Sequence, residues 1–208
     1  MTRFFVSPEE LGNDTIQLVG ENASHAKVLR LKAGEQVLVC DGEGRECLCA
    51  VVDSGWNLEV LERRESDSEP AVQVSVYMAF PKSDKLEHVI QKATELGVYE
   101  IVAFPSARCV SKPDEKSLKK KLERWQKIAA SAAEQSGRGR IPRVVVLPSF
   151  AEALKRGAEA NLPMLFYENE RATTLHMALN SGAWKTAALL TGPEGGLEEK
   201  ERWSNRFD

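Results

Sequence analysis

Over its first 70 residues the chain sets short apolar runs between turn residues. RFFV, TIQLV, EQVLV, ECLCAVV and NLEVLE are separated by Gly12-Asn13, Gly34, Asp41-Gly42 and Ser54-Gly55, the punctuation expected between short strands. ENASHAKVLRL departs from this and carries helical spacing. The pattern predicts a small β-barrel with one short helix over residues 1–70. The join RRESDSEPA is polar, contains Pro70 and reads as a linker, which puts a second domain at 71–208.

From residue 72 strands alternate with helices, the order expected of βαβ units and a mostly parallel sheet. VQVSVYMAF predicts a strand with Val72, Val74, Val76 and Met78 on one face. SDKLEHVIQKATELG predicts a helix whose Leu86, Val89, Ile90, Ala93 and Leu96 share a face, with Asp84 and Glu87 as a capping box and Gly97 as its stop. EIVAF is the next strand. Residues 114–136 predict a longer helix with a Leu118, Leu122, Trp125, Ile128, Ala132 stripe, which leaves Lys119, Lys120 and Lys127 for solvent or ligand, and Gly137 ends it. Strand RVVVL follows, then helix FAEALKRGAEA behind Ser149 and Glu152, strand PMLFY, a helix near ATTLHMALN, and strand TAALLT. The sheet therefore has five parallel strands.

Charge adds one asymmetry. Residues 1–70 hold 7 basic and 14 acidic side chains, whereas 112–143 holds ten Lys or Arg against four Asp or Glu. A bound polyanion would draw much of its field from the second stretch, although a solvated helix face has the same composition. No apolar run approaches the roughly 18 residues of a membrane helix, and MTRFFVSPEE lacks the core of a signal peptide; a cytoplasmic protein with no membrane partner is expected. Cys40, Cys47, Cys49 and Cys109 lack CxxC spacing and a nearby histidine cluster, so reduced thiols and no metal site are expected. His88 and His176 read as surface or packed imidazoles.

In parallel sheets, ligands bind beyond the carboxyl ends of the strands. Four such loops are chemically rich here: FPKSDK, PSARCVSKP, YENER and TGPEGGLEE. The last is neither a Walker loop nor a GxGxxG turn. Its Gly192, Gly195 and Gly196 let the backbone approach a ligand and leave N–H groups unshielded, suiting a carboxylate, phosphate or nucleoside. A tight turn needing positive φ would explain any one of these glycines.

HAKVLRLKAGEQV, KLEHVIQKATELGVYEIVAFPSARCV, ERWQKIAASAAEQSGRGRIPRV and LLTGPEGGLEEKE, in that order across the chain, resemble the ribosomal RNA uridine-N3 methyltransferase family of the SPOUT superfamily. The resemblance implies an α/β protein with an N-terminal PUA-like barrel that holds RNA and a SPOUT-type domain with a trefoil knot that binds S-adenosylmethionine. It also implies a homodimer that methylates N3 of one uridine in the 16S RNA of the small ribosomal subunit. Carried over by position, Tyr167, Glu168, Gly192, Pro193, Glu194, Gly195 and Gly196 would border the methyl donor, and Arg3, His25, Arg30, Arg108 and Arg138 would meet RNA. Arg108 and Arg138 as helix caps or partners of Glu134, and His25 packed under the barrel, are the structural alternatives. Uracil N3 needs its proton removed or its deprotonated ring stabilised before it attacks, and no residue stands out as that base.

In the family the chain continues beyond GPEGG through a helix, a strand and a further loop that completes the knot; RWSNRFD does not resemble that segment. The expectation is a piece of a longer protein with the knot incomplete in this sequence. A non-catalytic RNA-binding protein with a truncated donor site is the alternative, and an unrelated nucleotide-binding α/β enzyme would leave the barrel unexplained.

Overall fold

The computed structural model describes residues 1–110, 113–168, 173–198 and 201. They form two compact units, one from Met1–Glu69 with Ala133–Ile141 and one from Pro70–Ala132 with Pro142–Asp208.

The first unit contains β1 (Arg3–Phe5), α1 (Pro8–Leu11), β2 (Thr15–Gln17), α2 (Gly20–Leu29), β3 (Gln36–Cys40), β4 (Arg45–Val51) and β5 (Asn57–Glu65). Its sheet runs β1-β3-β4-β5-β2, antiparallel except where β1 joins β3. Strand alternation sends Val37, Val39, Cys47, Cys49, Val51 and Leu58 inward, where they meet Phe4, Leu11, Ile16, Leu18 and Ala26. Burial pushes the Cys40 and Cys49 thiols up to about 12, so they stay protonated and inert. The unit has two helices where the hydrophobic pattern predicts one. Four residues are too few to show a period, but α1 has a full start signal: Ser7 and Glu10 form a capping box around Pro8.

The polar join is not a slack linker. Arg63, Arg64 and Glu65 belong to β5. Glu69 then accepts hydrogen bonds from Arg138 Nη2 at 2.6 Å and from the Gly139 and Arg140 amides at 3.1 and 3.0 Å. A carboxylate that neutralises a buried guanidinium and two backbone N–H groups fixes the strand exit, and it recruits residues 133–141 to this unit. Gly139 lies so close to Ser66 that a Cβ there would run into the serine side chain.

The second unit contains β6 (Gln73–Ala79), α3 (Lys85–Glu95), β7 (Glu100–Phe104), α4 (Glu115–Ser136), β8 (Arg143–Val146), α5 (Phe150–Gly157), β9 (Leu162–Phe166), α6 (Leu175–Leu179) and β10 (Thr186–Thr191). All neighbours in its β8-β7-β6-β10-β9 sheet are parallel, as the alternation predicts. β7, between β8 and β6, is buried throughout. On β6 the fully buried positions are Tyr77 and Ala79, while Val74, Val76 and Met78 on the predicted face are only partly buried. Tyr77 and Ala79 pack with Val102, Phe104, Ala188 and Leu190 against Phe150, Ala153 and Leu154 of α5. A Cβ on Gly157 would approach Leu190 Cδ1 to 2.8 Å, so a glycine lets α5 lie against β10.

Two details of α3 correct the sequence pattern. Asp84 makes no side-chain cap, since the Glu87 amide donates to the Asp84 carbonyl at 3.0 Å, and the Glu87 side chain accepts from Arg124 Nη2 at 2.7 Å. Leu96 is 85% exposed beyond the helix end; the buried position is Thr94, whose hydroxyl donates to the Ile90 carbonyl at 2.7 Å. Gly97 ends the helix at φ 93°, as predicted. Ser149 caps α5 by accepting from the Glu152 amide. Among the described residues no helix is long and apolar enough to cross a membrane.

Candidate functional site

The strand order contains a switch point. From β6 the chain builds outward through β7 to β8, then crosses to β9 and returns with β10 beside β6. The loops leaving the carboxyl ends of the neighbouring strands β6 and β10 meet at this edge, the edge at which open α/β sheets bind ligands. FPKSDK and TGPEGG are those two loops.

They are fastened to each other. The Glu194 carboxylate accepts from the Lys82 amide at 3.1 and 3.2 Å and lies 2.8 Å from Lys85 Nζ. The Lys85 hydrogen bond, with the backbone amides of Glu194 and Lys82, holds its carboxyl down to about 2, so it is ionised at any working pH. Ser83, between the two lysines, has φ 55°, a conformation uncommon outside glycine that concentrates at functional loops.

The loop after β7 reaches the same turn. Arg108 Nη1 donates to the Gly195 carbonyl at 2.8 Å, and the Ala107 amide donates to Glu201 at 2.9 Å, whose other oxygen accepts from the Glu198 amide. The turn closes on itself through a 2.8 Å bond from the Gly196 amide to the Pro193 carbonyl. Below it Leu197 is buried in the sheet core and packs under Gly192. The three glycines differ in what they require. Gly196 sits at φ 69°, and a Cβ there would run into the Glu168 carboxylate at the end of β9. Gly195 has no such restriction, since a Cβ would make only ordinary contact with Arg108 at 3.5 Å. Tyr167 packs against the core beside Glu168. Glu168 and residues 192–196 thus lie together at one edge of the sheet, with Tyr167 packed on the core beside them. Asn169 to Arg171 of the YENER loop, Lys112 of the basic stretch, Glu199, and RWSNRFD from Arg202 onward lie outside the described residues.

The five basic positions assigned to RNA by resemblance fall in different environments. Arg3 is 9% exposed, with Nη1 2.8 Å from Glu46 and 3.0 Å from Cys40 Sγ. Arg138 is 3% exposed and held by Glu69. In both, the guanidinium is buried against a carboxylate. His25 lies edge-on to Phe4 at 5.6 Å and contacts Glu134 through Nδ1 at 2.8 Å, leaving its ring partly exposed. Arg30 is exposed at the end of α2 with φ 56°, a left-handed cap normally filled by glycine. Arg108 is exposed but turned onto Gly195. Lys119, Lys120 and Lys127 are exposed on α4, as the stripe predicts. Sequence reasoning assigned no role to Lys82, Lys85 or Glu201; the only signal was that FPKSDK follows the first strand of the sheet, and nothing local marks Glu201 as a partner of Ala107.

The fold and site define a two-unit RNA methyltransferase with a PUA-like barrel and a SPOUT-type parallel sheet. An RNA methyltransferase domain model matches residues 68–205, and an RNA methyltransferase PUA domain model matches 18–55. Ribosomal RNA small subunit methyltransferase E of Bacillus subtilis is 38% identical over 196 residues, 90% of this chain and 77% of that protein. The protein of the same description from Mycobacterium bovis is 35% identical over 88% of this chain and 71% of its own length. Among solved structures, ribosomal RNA small subunit methyltransferase E of Neisseria gonorrhoeae bound to S-adenosyl methionine superposes with a TM-score of 0.80 at 29% identity, covering 98% of this chain and 84% of that one. A Legionella pneumophila protein in complex with the bound cofactor SAM gives 0.81 at 26% identity with the same coverage. The chain belongs to the ribosomal RNA small subunit methyltransferase E family.

Proposed function

We propose that this protein transfers the methyl group of S-adenosylmethionine to N3 of a uridine in 16S ribosomal RNA, acting in the cytoplasm as a homodimer on the small ribosomal subunit or its RNA. The observation that carries this reading is the glycine turn at the switch point, fastened from two neighbouring loops, in a chain with relatives of that description. The turn suits the cofactor because Gly192, Gly195 and Gly196 carry no side chains to keep a ligand off the backbone beside Tyr167 and Glu168. S-adenosylmethionine supplies an electrophilic methyl group when bound.

The protein's share of the work is placement and electrostatics. Residues 192–196, with Pro193 buried and Glu194 tied to Lys85, hold the donor pocket in one shape, and alignment of the nucleophile with the methyl group lowers the barrier by removing orientational freedom. Glu194, kept ionised by Lys85, is a poor proton acceptor and acts through hydrogen bonding. His25 and Arg30 on α2 are the RNA-facing groups of the barrel, with Lys119, Lys120 and Lys127 supplying phosphate contacts from α4. The left-handed Arg30 supports this assignment: a strained position keeps an arginine where glycine would cost less.

Transfer of a labelled methyl group from S-adenosylmethionine to small-subunit RNA, followed by mapping of the modified nucleotide, tests the reading. Label at N3 of a single uridine is the expected result. RNA binding without transfer would favour a non-catalytic RNA-binding protein, and label on a base other than uracil would overturn the substrate assignment.

A further inference from the structure

The glycine turn has no side chains of its own at Gly192, Gly195 and Gly196, so its shape must be imposed from outside or lost to conformational entropy. Two cations from two different loops reach it. Lys85, at the first position of α3, lies 2.8 Å from Glu194, and the adjacent Lys82 amide binds the same carboxylate. Arg108, in the loop after β7, donates to the Gly195 carbonyl at 2.8 Å. The groups so engaged, the Glu194 carboxylate and the Gly195 carbonyl, belong to consecutive residues of one turn, held from the β6 side and from the β7 side.

We propose, building on the methyl-donor reading, that Lys85 and Arg108 are positioning residues that clamp the glycine turn, so that donor affinity is set partly by the loops after β6 and β7. This gives Arg108 a role other than the RNA contact implied by resemblance. It also accounts for Ser83 at φ 55°: the loop takes a strained path that brings the Lys82 amide and Lys85 ammonium to one carboxylate. The arrangement makes the turn sensitive to whatever engages Arg108. A guanidinium drawn off to another acceptor would release the Gly195 carbonyl.

The test uses the full-length protein with Lys85→Met, Lys85→Arg and Arg108→Met, and has a readout that needs no ligand. Amide exchange at Gly196, whose N–H closes the turn onto Pro193, is expected to accelerate severalfold in Lys85→Met and in Arg108→Met, while β10 amides keep their protection and Lys85→Arg stays close to the parent. Calorimetric titration with S-adenosylmethionine is expected to show affinity falling by roughly two- to fivefold in each methionine variant, the scale of one solvent-exposed charge contact, with the salt slope of RNA binding unchanged for Arg108→Met. Unaltered Gly196 exchange in both methionine variants would overturn the clamp, whatever the donor does. A flattened salt slope in Arg108→Met with unchanged donor affinity would overturn the role given to Arg108 and return it to phosphate contact. Failure of the parent chain to bind S-adenosylmethionine would count against the donor reading, while the exchange measurement would still decide the clamp.

Discussion

The first unit's arginines and the second unit's candidate-site cations meet their partners in different surroundings. In the first, carboxylates lie inside: Glu46 is 1% exposed between Arg3 and Arg64, each at 2.8 Å, and Glu69 binds Arg138 at 2.6 Å. In the second, Glu100 is buried at the start of β7 and pairs with Arg156 at 2.7 Å, while the charged contacts of the candidate site sit on loops at the carboxyl edge, where Glu194 meets Lys85 and Arg108 meets a carbonyl. Buried ion pairs fix geometry at a high desolvation cost, whereas rim contacts cost little and can be remade when a ligand arrives. The comparison separates arginines that build the barrel from cations available to a substrate, a distinction residue type alone does not give.

The largest effect should come from opening the buried network. Glu46→Leu strands the Arg3 guanidinium and should destabilise the first unit by about 3–5 kcal/mol, measured by denaturant unfolding; a loss below 1 kcal/mol would show that the network is not structural. The same group sets an acid dependence. Burial pushes the Glu46 carboxyl up, but hydrogen bonding from Arg64 and the charge of Arg3 outweigh it and leave it below its ordinary 4.5. A lowered folded value means that its contribution is present above the unfolded value and lost as pH falls through the folded one. Acid unfolding should therefore begin below about pH 4.5 in the parent, and Glu46→Leu should remove that part of the dependence.

A smaller effect separates the glycines. Gly196→Ala forces a side chain into a left-handed position and against Glu168, and should weaken S-adenosylmethionine binding about tenfold or more. Gly195→Ala meets only van der Waals contact, so it should leave exchange in the ligand-free turn unchanged and act on donor affinity alone. Equal behaviour of the two variants in the ligand-free protein would break this distinction.

These contrasts mark what the sequence could and could not reveal. The five parallel strands were legible because alternating apolar runs and capped helices leave a periodic trace, and TGPEGG stood out because three glycines around Pro193 and Glu194 serve no regular element. The edges of the barrel domain were not. Glu69 looks like linker chemistry until Arg138, 69 residues away, is seen beside it, and residues 133–136 continue the helical run of α4 while belonging, with 137–141, to the other unit. Leu96 follows the apolar period of α3 but lies past its last turn, where Gly97 has already turned the chain away. Long-range electrostatics and helix ends leave no periodicity to read.

The smallest effect concerns Arg30. Arg30→Gly should raise the stability of the first unit by roughly 0.5 kcal/mol by relieving a left-handed non-glycine residue, while lowering RNA affinity and reducing the salt slope by about one counterion. A gain in stability with unchanged RNA binding would make the strain accidental.

Hydrogen exchange with and without S-adenosylmethionine tests most directly the claim that the switch-point turn is the donor site. Added donor should slow exchange at Gly195 to Leu197 and in the loop around Arg108, and leave β3, β4 and β5 of the barrel unaffected. Protection confined to residues 1–69, or donor binding that leaves the turn's amides exchanging as before, would contradict it.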